Sequence, residues 1–272
     1  MQFGENLRNL RNLYLTRHEV PVVEASLFVT CVVDQFYPQV GEAAVKLLRR
    51  AGVDVLFPAG QTCCGQLAYN AGHHNEARSL AKRFLRVFGD GRYIVAPSGS
   101  CAAMVRVFYP ELLERSLERD AQRYRDLAHE TAERTYELSQ FLVNVLGRRD
   151  LGLALPQPMR VTYHDCCHAL RELGISKEPR ELLRNVKNLE LVEQERAAWC
   201  CGFGGTFAVK FPEISEAMLR DKMAAVQATR ADVVTALDSS CLMHIGGGLS
   251  RQGATVRALH VAEVLGMGTQ ER

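Results

Sequence analysis

One cysteine pattern, a lone Cys, an adjacent Cys-Cys-Gly and a second lone Cys, occurs twice along this 272-residue chain. The first copy is Cys31, Cys63-Cys64-Gly65 and Cys101, with 31 residues before the pair and 36 after it. The second is Cys166, Cys200-Cys201-Gly202 and Cys241, with intervals of 33 and 39. The ninth cysteine, Cys167, adjoins Cys166. Offsets of 135, 137 and 140 between the copies make an internal duplication the economical explanation. A repeated set of four thiolates is what two metal clusters, or one shared active site, require.

Hydrophobic patterning places those cysteines. Ala25 to Cys31, Val53 to Phe57 and Tyr93 to Ala96 are short apolar runs that read as strands. Pro38 to Ala51 and Glu76 to Phe88 between them have helical spacing. The second copy repeats the order, with strands expected at Arg160 to Tyr163, Leu189 to Val192 and Asp232 to Ala236. Strands alternating with amphipathic helices predict an α/β fold of two pseudo-repeated domains, each a small parallel sheet flanked by helices. The cysteines then lie at the carboxyl ends of the strands, where open parallel sheets gather ligands. Expected boundaries are an N-terminal extension over 1–25, a first domain with a charged helical linker over 26–150, and a second over 151–272. The extension is read as poorly ordered or as a wrongly placed start, because Glu5, Glu19 and Glu24 among its arginines argue against a targeting peptide. Pro110 to Leu146 reads as structural helix with a solvated charged face, and Gly147 to Pro158 as the boundary loop.

The donor chemistry leaves three readings open. A tetrahedral zinc usually takes short C-x2-4-C knuckles, and no C-x-x-C occurs. Adjacent cysteines point apart and reach one small ion only with a contorted backbone, yet they can grip different irons of one cluster. Iron-sulfur ligation is therefore favoured over zinc and over a metal-free redox pair or buried structural thiols. Composition narrows the class further. With 47% apolar residues the chain can build its core without staples, so a secreted disulfide framework is not expected and a reducing cytoplasm is. A net charge of +2, from 33 basic and 31 acidic residues, provides no field for nucleic acid. No apolar run approaches a membrane span, so no direct membrane insertion is expected.

Around the cysteines, the motifs are Thr30-Cys31-Val32-Val33-Asp34, Gly60-Gln61-Thr62-Cys63-Cys64-Gly65-Gln66 and Ser98-Gly99-Ser100-Cys101 in the first copy. The second has His164-Asp165-Cys166-Cys167-His168, Cys200-Cys201-Gly202-Phe203-Gly204-Gly205-Thr206-Phe207 and Ser239-Ser240-Cys241-Leu242-Met243-His244. With these motifs the chain resembles the cysteine-rich CCG-domain iron-sulfur family, over nearly everything from Ser26 to Leu265. That family includes the cysteine-rich subunit of heterodisulfide reductase and the iron-sulfur subunits of glycolate oxidase, and the resemblance is nearest to its lactate-utilisation branch. The resemblance implies two 4Fe-4S clusters held by Cys31, Cys63, Cys64, Cys101, Cys166 or Cys167, Cys200, Cys201 and Cys241. It further implies an oxidoreductase subunit that passes electrons within a complex oxidising L-lactate to pyruvate. Other iron-sulfur subunits are the implied partners, the small 2-hydroxy acid is handled by the complex, and no catalytic residue is assigned in this chain. The alternatives are a glycolate oxidase-type subunit, a heterodisulfide-reductase-like thiol-disulfide oxidoreductase and a zinc-stabilised interaction module.

This chain departs from heterodisulfide reductase, in which each copy ends in Cys-x-x-Cys. Met104 and His244 stand at those places, so each copy lacks a fifth thiolate. Met104 reads as core packing and His244 as an additional ligand or a structural histidine. His164 and His168 flank the Cys166-Cys167 pair, where they either tune sulfur or orient the loop. Spacing does not decide between Cys166 and Cys167. Gly202 to Gly205 lacks the spacing of a nucleotide-binding fingerprint, Gly246-Gly247-Gly248 reads as a mobile loop, and Trp199 as core shielding the second pair.

Overall fold

The computed structural model describes residues 23–116 and 120–269. The expected extension, apart from its last three residues, lies outside the described residues; β1 starts at Val23, ahead of the strand start read from the sequence. Two four-stranded sheets, parallel throughout, form the framework. The first has the order β2-β1-β3-β4, with β1 Val23–Leu27, β2 Val53–Leu56, β3 Tyr93–Ala96 and β4 Thr135–Glu137. The second repeats it as β6-β5-β7-β8, with β5 Ala154–Tyr163, β6 Lys187–Val192, β7 Val233–Ala236 and β8 Arg257–His260. The register is matched as well as the order: Ala25 pairs with Val55 and Tyr93 in the first sheet, and Val161 with Leu191 and Val233 in the second. The α/β reading with two repeated parallel sheets holds.

Helices cover the sheets because their apolar faces have nowhere else to go. Pro38–Arg50 buries Val40, Ala44, Leu47 and Leu48, and His74–Val87 buries Ala77, Ala81, Phe84 and Leu85. One hydrophobic cluster runs through both halves, joining Ala25, Leu47 and Val95 to Val161, Val233 and Val264. A second is built from first-half residues around Phe28, Phe84 and Phe88, with Leu173 of the second half packed against it. Among the described residues no helix is long and apolar enough to cross a membrane.

Several local expectations change. Pro110 to Leu146 is not helix throughout: it contains β4, whose three residues give too short a signal for a periodicity to register. The edge strand β8 was likewise not anticipated, its four residues beginning with an exposed arginine. Strand β5 extends back to Ala154 and so absorbs Pro156 and Pro158. Prolines are tolerated there because that stretch pairs only with β6, across a register shift between Ala154 and Met159, while β7 joins from Val161 onward. Gly246-Gly247-Gly248 is no loop but the middle of the helix Ser239–Arg251. A Cβ on Gly248 would come within 2.5 Å of Met223 Sδ and 2.9 Å of Leu219, so the glycine allows close packing against the helix Pro212–Ala228.

Candidate metal centres

Each strand end delivers thiols to one place. Cys31 opens the helix Cys31–Phe36 just past β1, Cys63-Cys64 occupies the loop after β2, and Cys101 lies in the helix Gly99–Ala103 after β3. The adjacent pair splits, as side chains of neighbouring residues must: Cys63 Sγ is 3.5 Å from Cys31 Sγ, and Cys64 Sγ is 3.5 Å from Cys101 Sγ. Gly65, at φ 86°, turns the chain into the left-handed region so that its N–H donates to Cys63 Sγ at 3.4 Å. Donation from the Cys31 thiol, then from Cys64, with help from that N–H, holds Cys63 as a thiolate with a pKa of about 3. As the donor, Cys31 is pushed well up.

The second set copies this arrangement. Cys200 is held at about 2 by the Cys167 thiol first and Cys201 next, and the Gly202 N–H donates to its Sγ at 3.4 Å. Cys201 is pushed up to about 12, chiefly by its contact with Cys200, and it also meets Cys241. Cys167 opens the helix Cys167–Leu173 as Cys31 opens its own, and Cys166 takes the place of Thr30. Matching backbone bonds fix that register: Phe28 N–H donates to Val95 O at 2.9 Å, and His164 N–H to Thr235 O at 2.8 Å. Geometry thus pairs Cys167 with Cys31, a choice that spacing alone had left open. All nine cysteines are free thiols.

Both sets line one cavity of about 140 Å³, between the two halves. Its walls include Cys31, Cys63, Cys64 and Cys101 from the first half and Cys167, Cys200, Cys201 and Cys241 from the second, but not Cys166. Cys166 is fully buried behind it, grouped with Cys241 and Asp238 so that their donor atoms lie within 4.8 Å of one another.

Asp238 went unremarked in the sequence although its position is legible there, three residues before Cys241 as Ser98 is three before Cys101. Its Oδ1 accepts from Ser98 Oγ at 2.7 Å, Ser100 Oγ at 2.8 Å and Ser100 N–H at 3.0 Å. A buried carboxylate therefore ties the two halves together at the cavity wall, through charge-assisted bonds. Lys222 was also missed. It is buried beside the second set and donates to the carbonyls of Arg196 at 2.7 Å and Ala197 at 3.2 Å, which shapes the loop leading into Cys200. The segment before Cys167 is braced by Asp165, gripped at both oxygens by Arg180 at 2.7 and 2.8 Å.

The other flagged side chains separate clearly. Met104 is fully buried, as expected. Trp199 is not core: it is 50% exposed, with the Arg196 guanidinium 4.2 Å from its ring centre, on a turn closed by its N–H donating to Arg196 O at 2.9 Å. His244 points its Nε2 at Ser215 Oγ, 3.2 Å away, and stands edge-on to Phe203. His168 Nδ1 lies 3.6 Å from Cys167 Sγ. His164 is wholly buried, and neither ring nitrogen has a hydrogen-bond partner among the described residues. Burial, then the nearby Lys222 ammonium, lowers its pKa to about 4, so the imidazole is neutral. Soft thiols in two sets of four, two of them already thiolates, and one unpartnered neutral imidazole form a donor set suited to soft or borderline metals.

Comparison with known proteins agrees with this architecture. The model of the cysteine-rich CCG domain matches residues 25–106 and again 161–246. Lactate utilization protein A 2 of Bacillus cereus (strain AH820) is 45% identical over 246 residues, covering 90% of this chain and 99% of its own. Lactate utilization protein A of Bacillus velezensis is 47% identical over 243 residues, covering 89% and 99%. Its counterpart in Geobacillus thermodenitrificans is 47% identical, covering 89% and 98%. Among solved structures, a hypothetical protein from Helicobacter pylori superposes with a TM-score of 0.60 at 12% identity, over 93% of this chain and 50% of that one. At that identity the likeness speaks for the fold alone.

Proposed function

The chain belongs to the cysteine-rich CCG-domain family, and on that premise we propose that it is an iron-sulfur electron-transfer subunit of a cytoplasmic complex that oxidises L-lactate to pyruvate. The observation that carries the reading is the pair of four-thiol sets facing a common cavity. Cys31, Cys63, Cys64 and Cys101 would hold one cluster, and Cys167, Cys200, Cys201 and Cys241 the other. Bound there, 4Fe-4S clusters supply one-electron transfer. The protein's own part is to favour the thiolate forms of Cys63 and Cys200, through the thiol and Gly65 or Gly202 N–H donors, and to bury Cys64, Cys101, Cys201 and Cys241 while Cys31, Cys63, Cys167 and Cys200 stay half-buried. Divergence of each adjacent pair favours a multinuclear cluster over a single zinc, because Cys63 and Cys64 reach different partners. Lactate comes from the relatives' name, and other iron-sulfur subunits are the proposed partners. The two clusters would belong to units spanning 26–150 and 151–272.

The test is iron, acid-labile sulfide and zinc content of protein purified without oxygen, followed by lactate-dependent dye reduction with the partner subunits added. About eight iron and eight sulfide per chain are expected. Zinc without sulfide would remove the electron-transfer role. Full clusters with reduction driven by glycolate but not by lactate would move the substrate and leave that role intact.

A further inference from the structure

We propose that His164 is a fifth protein ligand, a nitrogen donor beside the thiolates of Cys167, Cys200, Cys201 and Cys241, at the second metal centre, which makes the two centres chemically different despite their matching cysteines. The inference rests on the metal-centre reading of those sets and adds a donor that the cysteine pattern does not contain.

Three observations carry it. First, a ring nitrogen of His164 forms a group with Cys201 Sγ and Cys241 Sγ in which all three atoms lie within 4.8 Å of one another, a spacing from which they can converge on one metal. Second, His164 is fully buried and neither nitrogen has a hydrogen-bond partner among the described residues, an unfavourable state for a buried polar group. The equally buried His260 shows how this fold treats a structural histidine: Nε2 meets Leu237 O at 2.9 Å, and Nδ1 accepts the Ala262 N–H at 3.0 Å. Third, the duplicated position in the first half is Phe28, packed edge-on against the stacked rings of Phe84 and Phe88, so burial at this place needs no polar atom. The neighbouring Asp165, clamped by Arg180, fixes the backbone that aims the ring.

The test uses the full chain, purified without oxygen from cells fed 15N-histidine, with iron and sulfide quantified before reduction and pulsed electron paramagnetic resonance. The expected result is a strong histidine nitrogen coupling that changes with the isotope, persists in His244→Ala and disappears in His164→Phe, the residue its duplicate already accommodates. The labelled wild-type protein tests the idea even if a variant fails to fold. Cluster-loaded protein without histidine coupling, or with coupling that survives His164→Phe, would overturn the proposal while leaving the electron-transfer reading standing. If the protein instead carries zinc and no sulfide, that reading fails, and zinc X-ray absorption decides the ligand: one nitrogen scatterer, lost in His164→Phe, upholds it, and an all-sulfur site overturns it.

Discussion

The halves of this molecule share strand order, register and four thiols each, and they differ in what surrounds those thiols. Where the first half has Phe28, Thr30 and Ser98, the second has His164, Cys166 and Asp238. The first half's ring stacks edge-on against Phe84 and Phe88 at 4.9 and 5.7 Å in an aromatic cluster, whereas the second half's is an imidazole without a partner. Duplication preserved the backbone route that brings thiols to the strand ends. The packing behind them diverged, so the first site is backed by an aromatic cluster in which the Tyr109 hydroxyl donates to Cys64 O at 2.8 Å, and the second by an imidazole, a carboxylate and a lysine.

The largest expected effect is on the thiols themselves. Cys63→Ser should empty the first site and Cys200→Ser the second, each lowering iron from about eight to about four per chain; unchanged iron in both would break the assignment of paired sites. The duplication also predicts an asymmetry between neighbours. Cys167→Ser should lose the second cluster as Cys31→Ser loses the first, while Cys166→Ser keeps iron at the wild-type level, and the reverse outcome would mean that Cys166 is the counterpart of Cys31.

Next in size are the stabilities of the divergent positions, read by denaturant unfolding of the apoprotein. Phe28→Ala removes a fully buried ring and should cost about 3–5 kcal/mol. Asp238→Ala cuts three bonds between the halves and leaves Ser98 and Ser100 short of an acceptor, for a loss of about 2–3 kcal/mol. A loss below about 0.5 kcal/mol would mean that this carboxylate does not tie the halves together.

The last contrast is a pH dependence of opposite sign in the two halves. Glu137 ends β4 and caps the following turn through Ser139 N–H at 2.8 Å, and His260 ends β8 and caps the helix Val261–Met267. Burial raises Glu137 to about 8, so the folded chain keeps a proton that the unfolded chain releases near pH 4.5; stability should fall as pH rises between these values and level off above. Burial lowers the pKa of His260, so the unfolded chain binds the extra proton and stability should fall as pH drops below about 6.5. Glu137→Gln should flatten the alkaline limb, and His260→Asn should make the acid one shallower, with His164 supplying the rest; a profile unchanged by either would show that these caps do not titrate with folding.

Much of the architecture was legible because it is periodic. Short apolar runs alternating with amphipathic helices predicted parallel sheets, and the spacing of Cys31, Cys63-Cys64 and Cys101 placed thiols at the strand ends. What misled was local signal too weak or too ambiguous to carry its context. Thr135–Glu137 and Arg257–His260 are too short for a period to emerge, and Gly246-Gly247-Gly248 looks like a loop until Met223 and Leu219 are seen pressing on the helix.

Order along the chain is enough to set the α/β class, the duplication and the positions of the thiols. The folded arrangement adds that Cys167 rather than Cys166 matches Cys31, that both sets face one cavity, that Asp238 bridges the halves and that His164 lies beside Cys201 and Cys241 with no partner among the described residues. Those are relations between side chains that lie on separate elements, fixed by strand register and by how two sheets share a core, and chain order does not encode them locally.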